Sequence, residues 1–543
     1  MKEEHPTKAE SELANSEVQE YLYLRQERRR LFPLAALIGL CAGLVAVLFR
    51  DALSAADTLR NLLITRAHEQ PVWGWIFPIL FSAGGAVISL ALVRRYAPET
   101  SGSGIPHLEA VLQRIRKLEW SRVLPVKFFA GLLAIGGGLV LGREGPTVQM
   151  GGAVGDAISK GLKVSPRERL TLIAAGAGAG LAAAFNAPLS GLIFVLEEVQ
   201  RDFHPVVFGT AFLAAAVADV VARLGADPFP VFSVTKYPTP PLATLPAFAI
   251  LGIVAGLLGV AFNRGLVASL NFYGRVKNRL VAAAITGAII GLIGWFAPNA
   301  IGNGHPLAEL TLGGQIALFA IPAWFLTRFL LTISSYGTGV PGGIFAPLLV
   351  LGALIGLAVG KVAIMAVPTA NVGPAVFAVV GMAAYFTAIV RAPLTAVVLI
   401  LEMTGNYEQM LPLLISCFFA YAVAEFLKDL PIYEVLLERD LLSGGEHTDL
   451  TQPIVMDFTI QEGAPFEGQL VRSLGLPSGC ILVRCSNGRR EWVPKANTRL
   501  EANMRITAVI EPDASTGLAI LRYGCEASHK KKNAGKPKSQ DTG

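Results

Sequence analysis

The chain has 543 residues, 53% of them hydrophobic and only 16% charged, with a mean hydropathy of +0.52 and a formal net charge of +6. Soluble domains carry about 25% charged residues, so this composition excludes an ordinary soluble protein and points to a polytopic membrane protein with a small polar module attached. Basic residues cluster near the ends, at Arg25, Arg28, Arg29 and Arg30 and at Lys530, Lys531 and Lys532, which reads as a topology signal with both ends cytoplasmic and not as a nucleic-acid footprint.

Residues 1–31 are polar and mixed in charge, and are expected to form a cytoplasmic, partly helical segment without a cleavable signal. Phe32–Leu53 and Val72–Val93 are long enough to span a bilayer. The apolar segments then shorten and are cut by Gly and Pro: Ile105–Leu118, Val123–Leu141, Gly145–Leu162, Leu170–Phe185 and Pro188–Val199. Several fall short of the roughly 20 residues needed to cross hydrocarbon. Broken helices at membrane depth are tolerated only where they line a cavity or are buried in protein, which favours a pathway protein over an anchor. Val206–Leu224, Leu245–Leu270, Val281–Phe296 and Leu312–Ile333 follow, and a second broken region runs from Gly339 to Thr404.

The two broken regions resemble each other. Aligning Thr171–Glu198 with Val376–Met403 without a gap matches Ala187-Pro188-Leu189 with Ala392-Pro393-Leu394, and Leu196-Glu197 with Leu401-Glu402. Upstream, Glu144-Gly145-Pro146 falls opposite Phe345-Ala346-Pro347. Repeats with interrupted helices at corresponding places point to a transport site at the repeat interface.

Within the first region, Gly142-Arg143-Glu144-Gly145-Pro146-Thr147 puts a carboxylate between glycines at the start of an apolar helix. Such a residue costs about 2.5–3.5 kcal/mol on insertion scales, so it usually has a functional reason to be there. Pro146 fits a first helical turn, and the first-turn N–H groups are free to face an anion. Two readings stand on these residues alone: Glu144 is a gate that competes with an anion, or it caps its own helix. Gly102-Ser103-Gly104-Ile105-Pro106 and Gly343-Ile344-Phe345-Ala346-Pro347 are further Gly-then-Pro helix starts, and Pro431-Ile432-Tyr433 adds a second hydroxyl to that of Ser103. N–H and O–H donors without full positive charges hold an anion weakly enough to release it.

These motifs (GSGIP at 102–106, GREGPTVQMGG at 142–152, FNAPLSGLIFVLEEV at 185–199 and GGIFAPLLVLGALIG at 342–356) resemble the CLC family of chloride channels and proton-coupled chloride exchangers, over roughly residues 33–443. The resemblance implies an all-α polytopic membrane domain built as an inverted repeat of broken helices, over residues 32–445. It implies that Ser103, Tyr433 and the backbones of Ile344 and Phe345 hold a central chloride. It makes Glu144 the gating glutamate, with Arg143 and Gly145 framing the outer site, and it implies a homodimer with one pathway per subunit. Exchangers of the family carry a second, internal glutamate, which falls on Glu198; the resemblance therefore implies proton transfer there and chloride/proton antiport, with a passive chloride channel as the alternative. Glu197 recurs as Glu402 and reads as structural. Ser103 implies chloride or nitrate over fluoride, and His107, where bacterial exchangers often have an acid, reads as a satisfied surface histidine.

From about residue 451 the composition becomes that of a soluble module. Val455–Gln461 and Arg505–Glu511 alternate like strands, Ile481–Val483 reads as a buried strand, and Gln469–Gly475 as a short helix. Glu462-Gly463-Ala464-Pro465, Gly468, Leu474-Gly475-Leu476-Pro477 and the run 489–501 resemble the TrkA-C module of potassium-uptake regulators, implying a small cytoplasmic α+β domain over 451–525 that takes a small-molecule or nucleotide ligand. The tail type points to a bacterial inner membrane. Residues 526–543 are polar and Lys-rich and are expected to be disordered.

No metal and no cofactor are expected. Cys41, Cys417, Cys480, Cys485 and Cys525 lack ligand spacing and read as reduced thiols, and the seven histidines are scattered. Gly178-x-Gly180-x-x-Ala183 imitates a dinucleotide fingerprint but lacks a preceding strand. A membrane enzyme fails for want of a His-Glu-x-x-His or a Gly-x-Ser-x-Gly frame around Ser103, and a potassium pathway for want of a carbonyl-lined filter.

Overall fold

The computed structural model describes residues 8–70, 72–201, 203–225, 239–366, 372–443, 454–487, 490–511 and 516–525. The expected disordered tail, with Lys530–Lys532, lies outside the described residues. The chain forms two compact units, a helical one reaching Asp440 and a small one made chiefly of residues after it.

In the helical unit, α1 (Lys8–His68) runs unbroken from the polar leader into the first apolar segment, so the expected boundary at residue 31 is not a break in the helix. Its apolar residues cover more than one face: Ala35, Ile38, Ala42, Ala46 and Phe49 are buried, while Leu37, Leu40, Leu44 and Leu48 are exposed. A helix apolar all round, with leucines on its outer face, is suited to lipid. There follow α2 (Ile76–Tyr96), α3 (Ile105–Leu112), α4 (Trp120–Gly136), α5 (Glu144–Gly161), α6 (Pro166–Phe185), α7 (Pro188–Phe194) and α8 (Pro205–Leu224). A second series matches them in order: α9 (Leu245–Arg275), α10 (Arg279–Phe296), α11 (His305–Leu312), α12 (Ile321–Gly337), α13 (Phe345–Ala366), α14 (Pro374–Val390), α15 (Pro393–Thr404) and α16 (Met410–Phe426). Then α17 (Ile432–Ser443) begins at Ile432. Among the described residues eight helices are long and apolar enough to cross a membrane, including α1, α9 and α13.

The repeat therefore extends over whole eight-helix series, well beyond the stretch that sequence matching picks out. Its packing recurs as well. A Cβ on Gly151 of α5 or Gly176 of α6 would run into the other's carbonyl, and Gly352 of α13 and Gly381 of α14 are in the same relation. Small residues let these helix pairs approach backbone to backbone. Asn186 and Arg391 end α6 and α14 in left-handed conformation at matching places.

The small unit holds a four-stranded antiparallel sheet of order β1-β4-β2-β3, with β1 (Ile454–Thr459), β2 (Cys480–Ser486), β3 (Glu491–Trp492) and β4 (Arg505–Ile510). Leu482, Ile506, Ala508 and Ile510 pack from one sheet face against Leu521 and Cys525 of α18 (Thr516–Cys525). The helix expected over Gln469–Gly475 is instead a single tight turn, Val471–Ser473. Gly468 and Gly475 have φ of 78° and 65°, which stops helical backbone on both sides.

Candidate anion-binding site and gate

Three of the Gly-rich helix starts meet. Gly142 and Gly343 exchange backbone hydrogen bonds, Gly142 N to Gly343 O at 2.7 Å and Gly343 N to Gly142 O at 2.8 Å. Gly102 N donates to Val340 O at 3.2 Å, and Gly342 N to Gly102 O at 2.9 Å. These bridges tie the starts of α3, α5 and α13 into one knot of backbone. Glycine is required there by space: a Cβ on Gly145 would lie 2.9 Å from Ser103 O and 3.0 Å from Ser103 Cα, and one on Gly343 would lie 3.0 Å from Gly145 N.

Ser103 is fully buried beside that knot. Its Oγ accepts from Ile105 N at 3.4 Å, and its backbone N donates to the Tyr336 hydroxyl at 3.4 Å. The loop is held from behind by Lys127, a fully buried cation whose Nζ donates to Thr100 O at 2.9 Å and Gly102 O at 2.8 Å. Ile344 and Phe345 are also fully buried, and the Phe345 ring packs between Phe386, Phe185 and Phe194 with centroids 4.2, 5.5 and 6.2 Å away. Tyr433, in the first turn of α17, is completely buried, and its hydroxyl has no hydrogen-bond partner among the described residues. A buried hydroxyl without a partner costs about 1–3 kcal/mol, which a bound anion would recover.

Glu144 opens α5 and is 3% exposed. Its carboxylate accepts from its own backbone N–H at the start of α5 and from a second helix as well. Oε2 reaches across to Ala346 N, 3.4 Å away, in the first turn of α13. The carboxylate thus occupies a place that first-turn N–H groups of α13, that of Ala346 among them, offer to an anion. Arg143 donates from Nη2 to Ala184 O at 3.0 Å. Arg143 and Glu144 together line a cleft of about 850 Å³ with Arg50, Asp57, Arg60 and Asn303.

Glu198 lies apart from this knot, in a wide π turn over Val195–Val199 that continues α7. Such turns are frequent at functional sites. Glu198 is 3% exposed; its Oε1 has no hydrogen bond among the described residues and stands 3.8 Å from Arg201 Nη2. Arg201 Nη1 pairs at 2.6 Å with Glu434, the neighbour of Tyr433. Tyr433 is within electrostatic reach of both Glu144 and Glu198. Neighbouring Glu197 behaves differently, its carboxylate accepting from Leu394 N, Thr395 N and Thr395 Oγ1 at 3.1, 2.7 and 2.7 Å.

Sequence reading missed Tyr336, Lys127 and Glu109. Glu109 is 3% exposed, has an unpartnered Oε1 and lies within electrostatic reach of Glu198 and Arg201. Nothing in local sequence marks these three, because each owes its place to tertiary contact. His107 differs from expectation. It is buried, with Nδ1 3.3 Å from Gln149 Nε2, because α3 packs its whole length inside the protein.

Comparison with known proteins shows the family and the fold. Residues 84–425 match the family described as voltage gated chloride channel, and residues 455–516 match the TrkA-C domain. The chain is 40% identical over 416 residues to the H(+)/Cl(-) exchange transporter ClcA of Vibrio parahaemolyticus, covering 75% of this chain and 89% of that protein. Against ClcA of Salmonella arizonae it is 38% identical, covering 75% and 88%. Among solved structures, a slow cyanobacterial Cl-/H+ antiporter superposes with a TM-score of 0.75 at 37% identity, covering 77% of this chain and 99% of that one. A CLC-type fluoride/proton antiporter, 22% identical, has a TM-score of 0.62 and shares the fold.

Proposed function

The chain belongs to the voltage gated chloride channel family, and on that premise we propose that it is a membrane antiporter exchanging chloride, or a similar anion such as nitrate, for protons. The observation that carries this reading is a pair of buried carboxylates, Glu144 and Glu198, both close enough to Tyr433 to act on it electrostatically, though neither bonds to it. Ionised Glu144 occupies the N–H groups at the start of α13 and shuts out an anion. Protonated, it loses the charge that holds it there and yields the place to chloride. Ser103 Oγ, Tyr433 Oη and the Ile344 and Phe345 backbone hold the anion between the gate and the inside, with Arg143 and Gly145 framing the outer approach. Glu198 supplies and removes the proton from the inner side.

The same reading gives a multi-pass protein of a bacterial inner membrane, with both ends cytoplasmic, following the basic residues Arg25 and Arg28–Arg30 before the first span. It gives a homodimer with one pathway in each subunit and a TrkA-C domain that takes a small-molecule or nucleotide ligand. Domains follow as 1–31, 32–445, 451–525 and a tail of 526–543.

The test uses purified full-length protein in liposomes loaded with high chloride and a pH probe. Outward chloride flow should drive protons uphill into the vesicle. Glu198→Gln should abolish that proton movement and keep chloride flow, and Glu144→Gln should uncouple the two. Chloride efflux with no proton movement in the unsubstituted protein would make it a passive channel and leave Glu198 as a helix-end charge.

A further inference from the structure

The loop that carries Ser103 has a counterpart in the second series. Gly302-Asn303-Gly304-His305-Pro306 opens α11 as Gly102-Ser103-Gly104-Ile105-Pro106 opens α3. The backbones agree: φ is 62° at Gly102 and 65° at Gly302, 83° at Gly104 and 86° at Gly304. Asn303 Oδ1 accepts from His305 N at 3.0 Å, as Ser103 Oγ accepts from Ile105 N at 3.4 Å. Behind the loop, Arg328 of α12 stands where Lys127 stands in α4. It is fully buried and donates to the carbonyls of Ala300, Gly302 and Asn303 at 3.2, 2.9 and 3.2 Å. A cation on those carbonyls polarises the peptide units, and the start of α11 adds its positive dipole end.

The two loops differ in what they face. Asn303 and His305 line the 850 Å³ cleft that reaches Glu144 and Arg143. Among the described residues only the Oδ1 of the Asn303 amide is engaged, which leaves its Nδ2 to donate to a ligand. Arg60, 6% exposed, lies against Gly302 and lines the same cleft. Asp57 at 2.6 Å and Gly136 O at 3.3 Å engage only its Nη1, and its Nε is buried without a partner. The acids of the cleft other than the gate are paired, Asp57 with Arg60 and Asp51 with Arg50 at 3.1 Å.

We infer that the Gly302–Pro306 loop, with Arg60, is a second anion-binding site on the cleft side of the gate, taking a small inorganic anion such as chloride before Glu144 admits it. It deepens the antiport reading and rests on it for its role, though not for its occupancy. The repeat thus places one anion loop on each side of the gate. Asn303 supplies an amide donor where Ser103 supplies a hydroxyl, and Arg60 supplies the charge that draws the anion in.

Crystals of the full-length protein soaked in bromide test occupancy by anomalous scattering. A peak beside Asn303, kept in Asn303→Ser and lost in Asn303→Leu, is expected; an empty loop while the Ser103 site is filled would overturn the proposal. In liposomes, the ratio of half-saturating chloride on the cleft side to that on the other side should rise about fivefold in Asn303→Leu and in Arg60→Gln, the size of one lost hydrogen bond. Ser103→Ala, which acts on the shared central site, gives the reference for a change not confined to one side. Bromide in the loop with no change in that ratio would mean binding at crystal concentration only, and the proposal would fall. Bromide in the loop of a protein that moves no protons would sink the antiport reading and leave the site standing.

Discussion

Glu197 and Glu402 hold each other's helices. The Glu402 carboxylate accepts from Leu189 N, Ser190 N and Ser190 Oγ at 3.0, 2.8 and 2.6 Å, at the start of α7, while Glu197 does the same for Leu394 and Thr395 at the start of α15. Each acid lies at the end of the seventh helix of one series and caps the seventh helix of the other, so the pair joins the two halves of the repeat. A carboxylate with three donors at a helix start is strongly held, since the dipole and the charge-assisted hydrogen bonds act together. Replacing Glu402 or Glu197 by Ala should therefore cost stability, about 1.5–3 kcal/mol each on the scale of hydrogen bonds to charged groups. Thermal unfolding in detergent should show the lowered midpoint, while the ratio of protons to chloride is kept. An altered ratio with an unchanged midpoint would move Glu197 into the proton path beside Glu198.

That reciprocity was half visible in the sequence. Ala-Pro-Leu and Leu-Glu recur in both regions because the cap needs a carboxylate and the helix start needs a proline, and identical needs keep identical residues. Upstream of the match between Glu144-Gly145-Pro146 and Phe345-Ala346-Pro347 the repeat escaped notice, because there its likeness is in backbone shape. Ser103 and Asn303, or Lys127 and Arg328, do equivalent jobs with different side chains, and only Gly102, Gly104, Gly302 and Gly304 record the common conformation. Tyr336 was illegible for another reason: it reaches Ser103 from 233 residues away along the chain.

The Tyr433 hydroxyl gives the site its simplest test. Being buried without a partner, it gains from any anion that accepts its proton. Tyr433→Phe should lower chloride affinity about five- to tenfold, the equivalent of roughly 1–1.4 kcal/mol. Ser103→Ala should do about the same. Calorimetric titration of chloride into the purified protein would measure both, and unchanged affinity in the two variants would remove the central site from where it is drawn.

In the small unit, Cys480 and Cys485 sit on the inner face of the sheet, and burial pushes both thiols above the ordinary cysteine value. The thiolate is the reactive form, so alkylation by iodoacetamide near pH 7.5 should be slower than for a free cysteine and speed up as pH rises. The sign for stability follows. A raised folded-state value means the neutral thiol favours the fold, fully below the unfolded value of about 8.5 and progressively less as pH rises through the folded one. Residue-by-residue mass spectrometry after timed alkylation of the native protein would measure this. Labelling as fast as in denaturant would show that the sheet does not shield them.

Gly142 tests the gate without touching its carboxylate chemistry. A Cβ there would collide with Glu144 Oε2 and come within 3.1 Å of Ala346 N, so alanine cannot coexist with the side chain in its present place. The backbone cannot retreat, because Gly142 is bonded in both directions to Gly343. What can move is the Glu144 side chain, outward into the cleft it already lines. Gly142→Ala should therefore leave an ionisable acid at the gate yet weaken its closure, with chloride flow faster and fewer protons moved per chloride. Glu144→Gln removes the charge instead, so the two variants should share the chloride leak and differ in that Gly142→Ala keeps a residual proton flux. Parallel recordings of chloride and pH in liposomes separate them. Tight coupling in Gly142→Ala would mean that the carboxylate does not close the pathway from the position it holds against α13.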